Sequence, residues 1–269
     1  CSRTERICVG TNAMSFQDYL ECRNYSFILR LISHQSFLPI YKIAKEFDIG
    51  WYELSKKLTE LIQKEEFEGK LKDIFNEFCK ESLNELFDSE KEAIDFYSDE
   101  KNYKLLKSGD IGDNLIGKYT AKALLEINEI VPIIFKLMNS EFNIKENENF
   151  KKVSLASEKW LTNIFMIDKI FNDNFNHETK YNLKIDFDLP QWLEREKQPI
   201  INFFKESHYE LSYDKNKLKY LRNELRILSA STKEIALGKL LMQQTGRDFS
   251  SFEKQYSKII KFSLQNFRC

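Results

Sequence analysis

Between Phe16 and Phe171 the apolar residues of this chain fall at three- and four-residue spacings, and strict alternation over a long run sets in only at Tyr181. The first spacing lays an apolar stripe along a helix; the second puts every other side chain on one face of a strand. The fold class that follows is mainly α: a helical bundle region, a small two-stranded α+β element near residues 180–214, and one orphan strand at the N-terminus.

The punctuation sets the expected boundaries. Ser15 with Asp18 has the form of a helix N-cap with an acid in the first turn, after which Phe16, Tyr19, Leu20, Phe27, Leu31 and Ile32 share one face. Pro39 starts a second helix, which Gly50 ends. Leu54, Leu58, Leu61 and Ile62, then Leu71, Ile74, Phe75 and Phe78, mark one or two long amphipathic helices interrupted near Gly69. Residues 89–108 continue helical and 109–112 turn. Leu115 to Met138 reads as one central helix kinked at Pro132. A polar loop, "NSEFNIKENENFKK", precedes a helix marked by Val153, Trp160, Ile164, Ile167 and Phe171. "KYNLKIDFDLP" and "HYELSYD" then alternate as half-buried strands around a helix or irregular cap. Residues 215–262 return to helical character, with Gly246 as a C-cap. The expected organisation is an upstream domain ending at 1–14, a helical domain at 15–175 and an α+β/helical subdomain at 176–269.

Forty-one basic and forty-two acidic residues leave a net charge of −1, which gives no electrostatic drive toward nucleic acid or an anionic membrane. Five widely spaced cysteines form no disulfide framework, so a reducing cytoplasm is expected. The most apolar stretch, Ala123 to Met138, contains two glutamates and a proline and is shorter than the roughly 20 apolar residues that span a bilayer.

Few motifs suggest chemistry. Gly112 to Lys118 matches G-x-x-x-x-G-K, but Tyr119 stands where a Mg-binding hydroxyl is wanted and Asp110 and Asp113 would repel phosphate; a helix capped by Asp113 or Asn114 is the plainer account. Asp186 and Asp188 would share a strand face and could clasp a divalent cation, as any solvated strand face with two acids could. His34, His177 and His208 are too scattered for a metal triad. Cys1 and Cys8 have no partners at iron-sulfur spacing, and Cys22 and Cys79 read as packed thiols. No catalytic and no metal residue is assigned from these patterns.

Arg6-Ile7-Cys8-Val9 favours a strand and Gly10 ends it, yet no second strand-like run follows for the next hundred or so residues. Its sheet is expected before residue 1, in a longer polypeptide. The whole stretch "ERICVGTNAMSFQDYLECRNYSFILRLI" resembles the junction where the catalytic barrel of a cobalamin-binding radical-SAM protein gives way to its C-terminal region. In that family a last barrel strand leads into a T-x-x-M-S turn and an Arg-bearing amphipathic helix, here Thr11, Met14, Ser15 and Arg23. "GDIGDNLIGKY" and "FDLPQWL" are similar to downstream elements, so the resemblance covers most of the chain.

The resemblance implies a full-length enzyme with a 4Fe-4S cluster, S-adenosylmethionine and cobalamin, held by upstream barrel and cobalamin-binding domains of the same polypeptide. The family's C-x3-C-x2-C loop is not in this sequence, so no cofactor is expected in the fragment itself and its function is that of an accessory region. If Arg6–Val9 is a last barrel strand, Thr11 and Asn12 emerge on the ligand side and would line a substrate or cofactor cavity; a turn with a helix cap is the competing account. The alternative from another class is a freestanding helical protein-protein interaction module, docking through faces such as Leu54 to Phe78.

Overall fold

The computed structural model describes residues 7–164 apart from 109, 113, 143, 145 and 146, together with 180–194, 198–213, 219, 223 and 260–264. Within these residues the chain is mainly helical, as its periodicity predicts. The helices are α1 (Phe16–Ile32), α2 (Leu38–Glu46), α3 (Trp51–Gln63), α4 (Lys70–Asn84), α5 (Glu90–Ser98), α6 (Glu100–Ser108), α7 (Leu115–Leu125), α8 (Ile127–Glu141), α9 (Glu148–Ile164) and α10 (Leu189–Glu194). Three strands, β1 (Tyr181–Ile185), β2 (Ser207–Tyr213) and β3 (Ile260–Leu264), form an antiparallel sheet with β2 in the middle.

Helix α1 packs on α3 and α7, α4 on α7, and α8 on α9 and α3. Where α1, α4 and α7 meet, Phe27 stacks on Phe78 with ring centroids 4.6 Å apart, and Tyr119 presents its ring at an angle to both. Leu54, Leu58, Ile62, Leu71, Ile74, Phe75 and Phe78 all turn into this core. The helix face expected to dock a partner is therefore the inner face of the bundle, filled by its neighbours. Trp160 on α9 meets Tyr209 on β2 edge-on at 5.0 Å, and the apolar core runs without a break from Phe27 to Leu211, so the described parts of both regions share it. The boundary expected near 172–179, the Gly246 cap and, apart from the helical positions 219 and 223, the stretch 215–259 lie outside the described residues.

Several breaks differ from expectation. Helix α2 ends at Glu46, before Gly50; Asp48 takes the left-handed turn at φ 54°, and Gly50 precedes α3 as its N-cap. The single helix expected from Leu115 to Met138 is two helices, broken at Glu126 (φ −99°, ψ 25°), while Pro132 sits inside α8. The turn at Glu126 lets α7 bury its apolar residues on α1 and α4 while α8 buries its own on α3 and α9. Pro132 removes the ladder donor to Asn128, an exposed residue. Ile7 to Gly10 have no regular structure and pair with none of the three strands, so the expected orphan strand is not formed there. β propensity without a neighbouring backbone to pair with does not make a strand.

The two-stranded element is formed as expected, with Tyr181 opposite Leu211 and Ile185 opposite Ser207. β3 is an addition, pairing Leu264 with Tyr209 and Ile260 with Tyr213 in a segment whose sequence reads as helical.

Gly69, between α3 and α4, has φ 126° and ψ 175°, a region open essentially to glycine alone. A Cβ there would lie 2.6 Å from Glu129 Oε1, and that oxygen accepts the Leu71 N–H at 3.2 Å, capping α4 from the neighbouring α8. Gly69→Ala is expected to cost about 1–3 kcal/mol of unfolding free energy in urea denaturation, since it strains the backbone and displaces the cap together.

Candidate functional site

The junction that suggested a cavity wall is built locally. Asp18 N–H donates to Ser15 Oγ at 3.1 Å and Ser15 N–H donates to Asp18 Oδ2 at 2.7 Å, a complete capping box. The Ser15 backbone N–H, and after it the Ser15 hydroxyl, hold the Asp18 carboxyl below its ordinary range. Thr11 Oγ1 accepts the N–H groups of Ala13 and Met14 at 3.2 and 3.1 Å, closing the turn before the cap. Thr11 and Asn12 are both exposed.

The main polar constellation lies along α1, α4 and α7. Glu77, Glu81 and Glu85 recur every fourth residue on α4 and its C-cap, and Lys118 and Lys122 do the same on α7, so each series forms a row on one helix face. Where the rows meet, Lys122 pairs with Glu77 at 2.7 Å and Lys118 with Glu81 at 2.7 Å, and Glu85 is met from α1 by Arg23 at 3.1 Å. Arg23 Nε also donates to Ser82 Oγ at 3.0 Å. Lys118 Nζ further donates to the Asp110 carbonyl at 2.8 Å, and the Tyr119 hydroxyl donates to Glu81 Oε2 at 2.5 Å. Side-chain exposure is 9% for Lys118 and 17% for Glu81, which makes this pair the innermost of the three.

Burial first, and then the bond to Glu81, push the Tyr119 hydroxyl far above its usual range, so it stays a proton donor. This settles the G-x-x-x-x-G-K match: its lysine is taken by Glu81, its tyrosine points at the same carboxylate, and Asn114 Oδ1 caps α7 by accepting the Gly117 N–H at 3.0 Å. A phosphate would have to displace Glu81 to reach Lys118.

Burial raises the Glu85 pKa above its ordinary value; Arg23 and Lys118 oppose this and Glu81 adds to it. A carboxyl whose pKa is higher folded than unfolded contributes stability that is full below its unfolded pKa and is lost as pH rises through the folded one. Glu85→Gln is therefore expected to flatten the fall in stability above about pH 4.5, read from urea midpoints taken at several pH values. An unchanged pH profile would show that Arg23 fully compensates the burial.

Two grooves are present among the described residues, and only the first adjoins this network. One of about 800 Å³ runs along α4 and α7 past Lys70, Asp73, Lys80, Asp110, Lys122 and Glu126; another of about 220 Å³ lies between α3 and α8, beside the Lys57–Glu141 pair. Both are open, and charges of the two signs mix along them. No group of three or more His, Cys, Asp or Glu side chains suited to a metal ion occurs among the described residues. No helix there is long and apolar enough to cross a membrane.

Asp186 and Asp188 do not form a cation clasp. β1 ends at Ile185, so the alternation stops: Asp186 is exposed, and Asp188 is fully buried at the N-terminus of α10. Asp188 Oδ1 accepts from the Gln191 N–H at 3.2 Å and from the Tyr209 hydroxyl, and Oδ2 lies 3.0 Å from Lys205 Nζ. His34 is buried against Ser36, His208 pairs with Glu206 at 2.8 Å, and His177 lies outside the described residues. Cys8 and Cys22 are exposed; Cys79 is half-buried, bonded to Asn24 at 3.2 Å, and burial pushes its thiol up to about 11. It is a packed, unreactive thiol. Cys1 and Cys269 are outside the described residues.

The acid and base rows are the feature that sequence reasoning missed. Their four-residue spacing was visible in each segment, but which row faces which is a property of helix packing. Comparison with family profiles, with characterised proteins and with solved structures found no match.

Proposed function

We propose that this chain is the C-terminal accessory region of a radical-SAM enzyme of the cobalamin-binding kind, supplying a helical platform while the reacting groups lie in upstream domains. The entrance to α1 carries the reading. The four residues of the junction motif support it: Thr11 and Met14 close the turn, Ser15 caps the helix, and Arg23 fastens it to Ser82 on α4 and to Glu85 at its C-cap. The charged side chains that line α1, α4 and α7 pair with one another, as suits a scaffold. Such a protein would work in the cytoplasm.

Among the described residues, the thiols do not fit a 4Fe-4S cluster. Cys8 and Cys22 are exposed, Cys79 is bonded to Asn24, and the three form no ligand group. In this reading the cluster, S-adenosylmethionine and cobalamin belong to the upstream barrel and cobalamin-binding domains. The test has two parts. The coding sequence upstream of Cys1 should continue in frame to a C-x3-C-x2-C loop, and residues 1–269 reconstituted anaerobically with iron and sulfide should show no bound-cluster absorbance. A start codon directly before Cys1, or a cluster here that responds to S-adenosylmethionine, would overturn it.

A further inference from the structure

The α5–α6 hairpin is under-packed. Its two nine-residue helices pack mainly on each other and make no comparable contact with any other described element. Helix α5 buries Ala93 alone and α6 buries no residue, while Ile94, Phe96 and Tyr103 remain exposed. Helices this short are marginal in water, and ordering them costs about 1–2 kcal/mol per residue in backbone entropy alone. One buried alanine, with Tyr97, Leu105 and Leu106 half-buried, offsets only part of that.

The hairpin is nevertheless held firmly at its roots. Phe87 packs its ring on Phe96 at 5.4 Å and on Tyr97 at 5.8 Å. Of the two connections, one is pinned where Glu85 meets Arg23 and the other where the Asp110 carbonyl accepts from Lys118. Its free face is therefore presented in a fixed place. That place is the end of the bundle by which the chain enters α1: Arg23, which holds Glu85, also reaches Tyr19, and Tyr19 stacks on the exposed Phe16.

Charge defines the complement. From Asp88 to Glu100 the sequence carries six carboxylates and one lysine around Ile94 and Phe96. A surface that fits must be apolar at its centre and basic at its rim.

We infer that the α5–α6 hairpin docks on the polypeptide preceding residue 1, against an apolar patch ringed by lysine and arginine. This rests on the accessory-region reading, which supplies the preceding domains; the hairpin would then be their contact with the bundle.

Hydrogen exchange on the full-length protein tests it, comparing wild type with the double variant Ile94→Asp, Tyr103→Asp and with Asp95→Lys. In wild type the α5–α6 amides are expected to be protected. The double variant should raise their exchange roughly tenfold or more together with that of a Lys/Arg-rich upstream segment, leaving α3 and α8 unchanged, and Asp95→Lys should do the same more weakly. Hairpin amides that exchange equally fast in all three proteins, or that lose protection with no upstream change, overturn the inference. The upstream coding sequence separates the two failures: with a barrel present and the hairpin unprotected only the docking falls, and with no upstream domain both fall.

Discussion

Glu81→Ala is expected to lower the unfolding free energy by about 3–5 kcal/mol, the cost of leaving a partner charge buried without its counter-ion. Lys118, at 9% side-chain exposure, would keep the Asp110 carbonyl as its hydrogen-bond acceptor but lose its counter-ion, and the Tyr119 hydroxyl would lose its acceptor in the Phe27–Phe78 core. Chemical denaturation of the single variants and of the double variant Glu81→Leu, Lys118→Met gives the decisive comparison. The double variant should be less destabilised than Glu81→Ala, because apolar side chains of similar volume remove both desolvation penalties together. A loss below about 1 kcal/mol in Glu81→Ala would mean that the pair behaves as a surface ion pair and that water reaches Lys118 readily.

Asp188→Ala should be the next most damaging change, at about 2–4 kcal/mol. Roughly 1 kcal/mol comes from the lost cap on α10 and the rest from the Tyr209 hydroxyl left unpaired in a buried site. Lys205, half exposed, recovers water and adds little. Asp188→Asn retains an acceptor for both bonds and should fall between wild type and the alanine variant in the same denaturation experiment. Equal stability of the alanine and asparagine variants would remove Asp188 as the joint between β1, α10 and β2.

Local features were legible because local chemistry makes them. Ser15 and Asp18 cap α1 with bonds that span three residues, and Asn114 caps α7 in the same way. Gly69 marks the α3–α4 break because its backbone conformation excludes other residues. The Tyr181 and Tyr209 runs pair as their alternation requires. What the sequence hides is decided between segments. Nothing local distinguishes Glu126 from Pro132 as the point where a helix turns; the helices to be covered on either side choose Glu126. Nothing near Glu81 announces Lys118, thirty-seven residues on. Asp188 shares its spacing from Asp186 with a metal clasp, and only the end of β1 at Ile185 separates their fates. Ile260, Phe262 and Leu264 alternate, but beside Lys258, Ile259 and Lys261 the run reads as easily as a helix.

The position of β2 between β1 and β3 bears on what happens to an incomplete chain. Until Ile260–Leu264 arrives, the side of β2 that it covers presents unpaired N–H and C=O groups from Tyr209 to Tyr213, a ready template for another molecule's strand. The helical core forms from segments that are already synthesised by then. A chain interrupted before Ile260 would carry a finished bundle and a self-adhesive edge, so loss of the third strand should appear first as aggregation, with the helical signal intact.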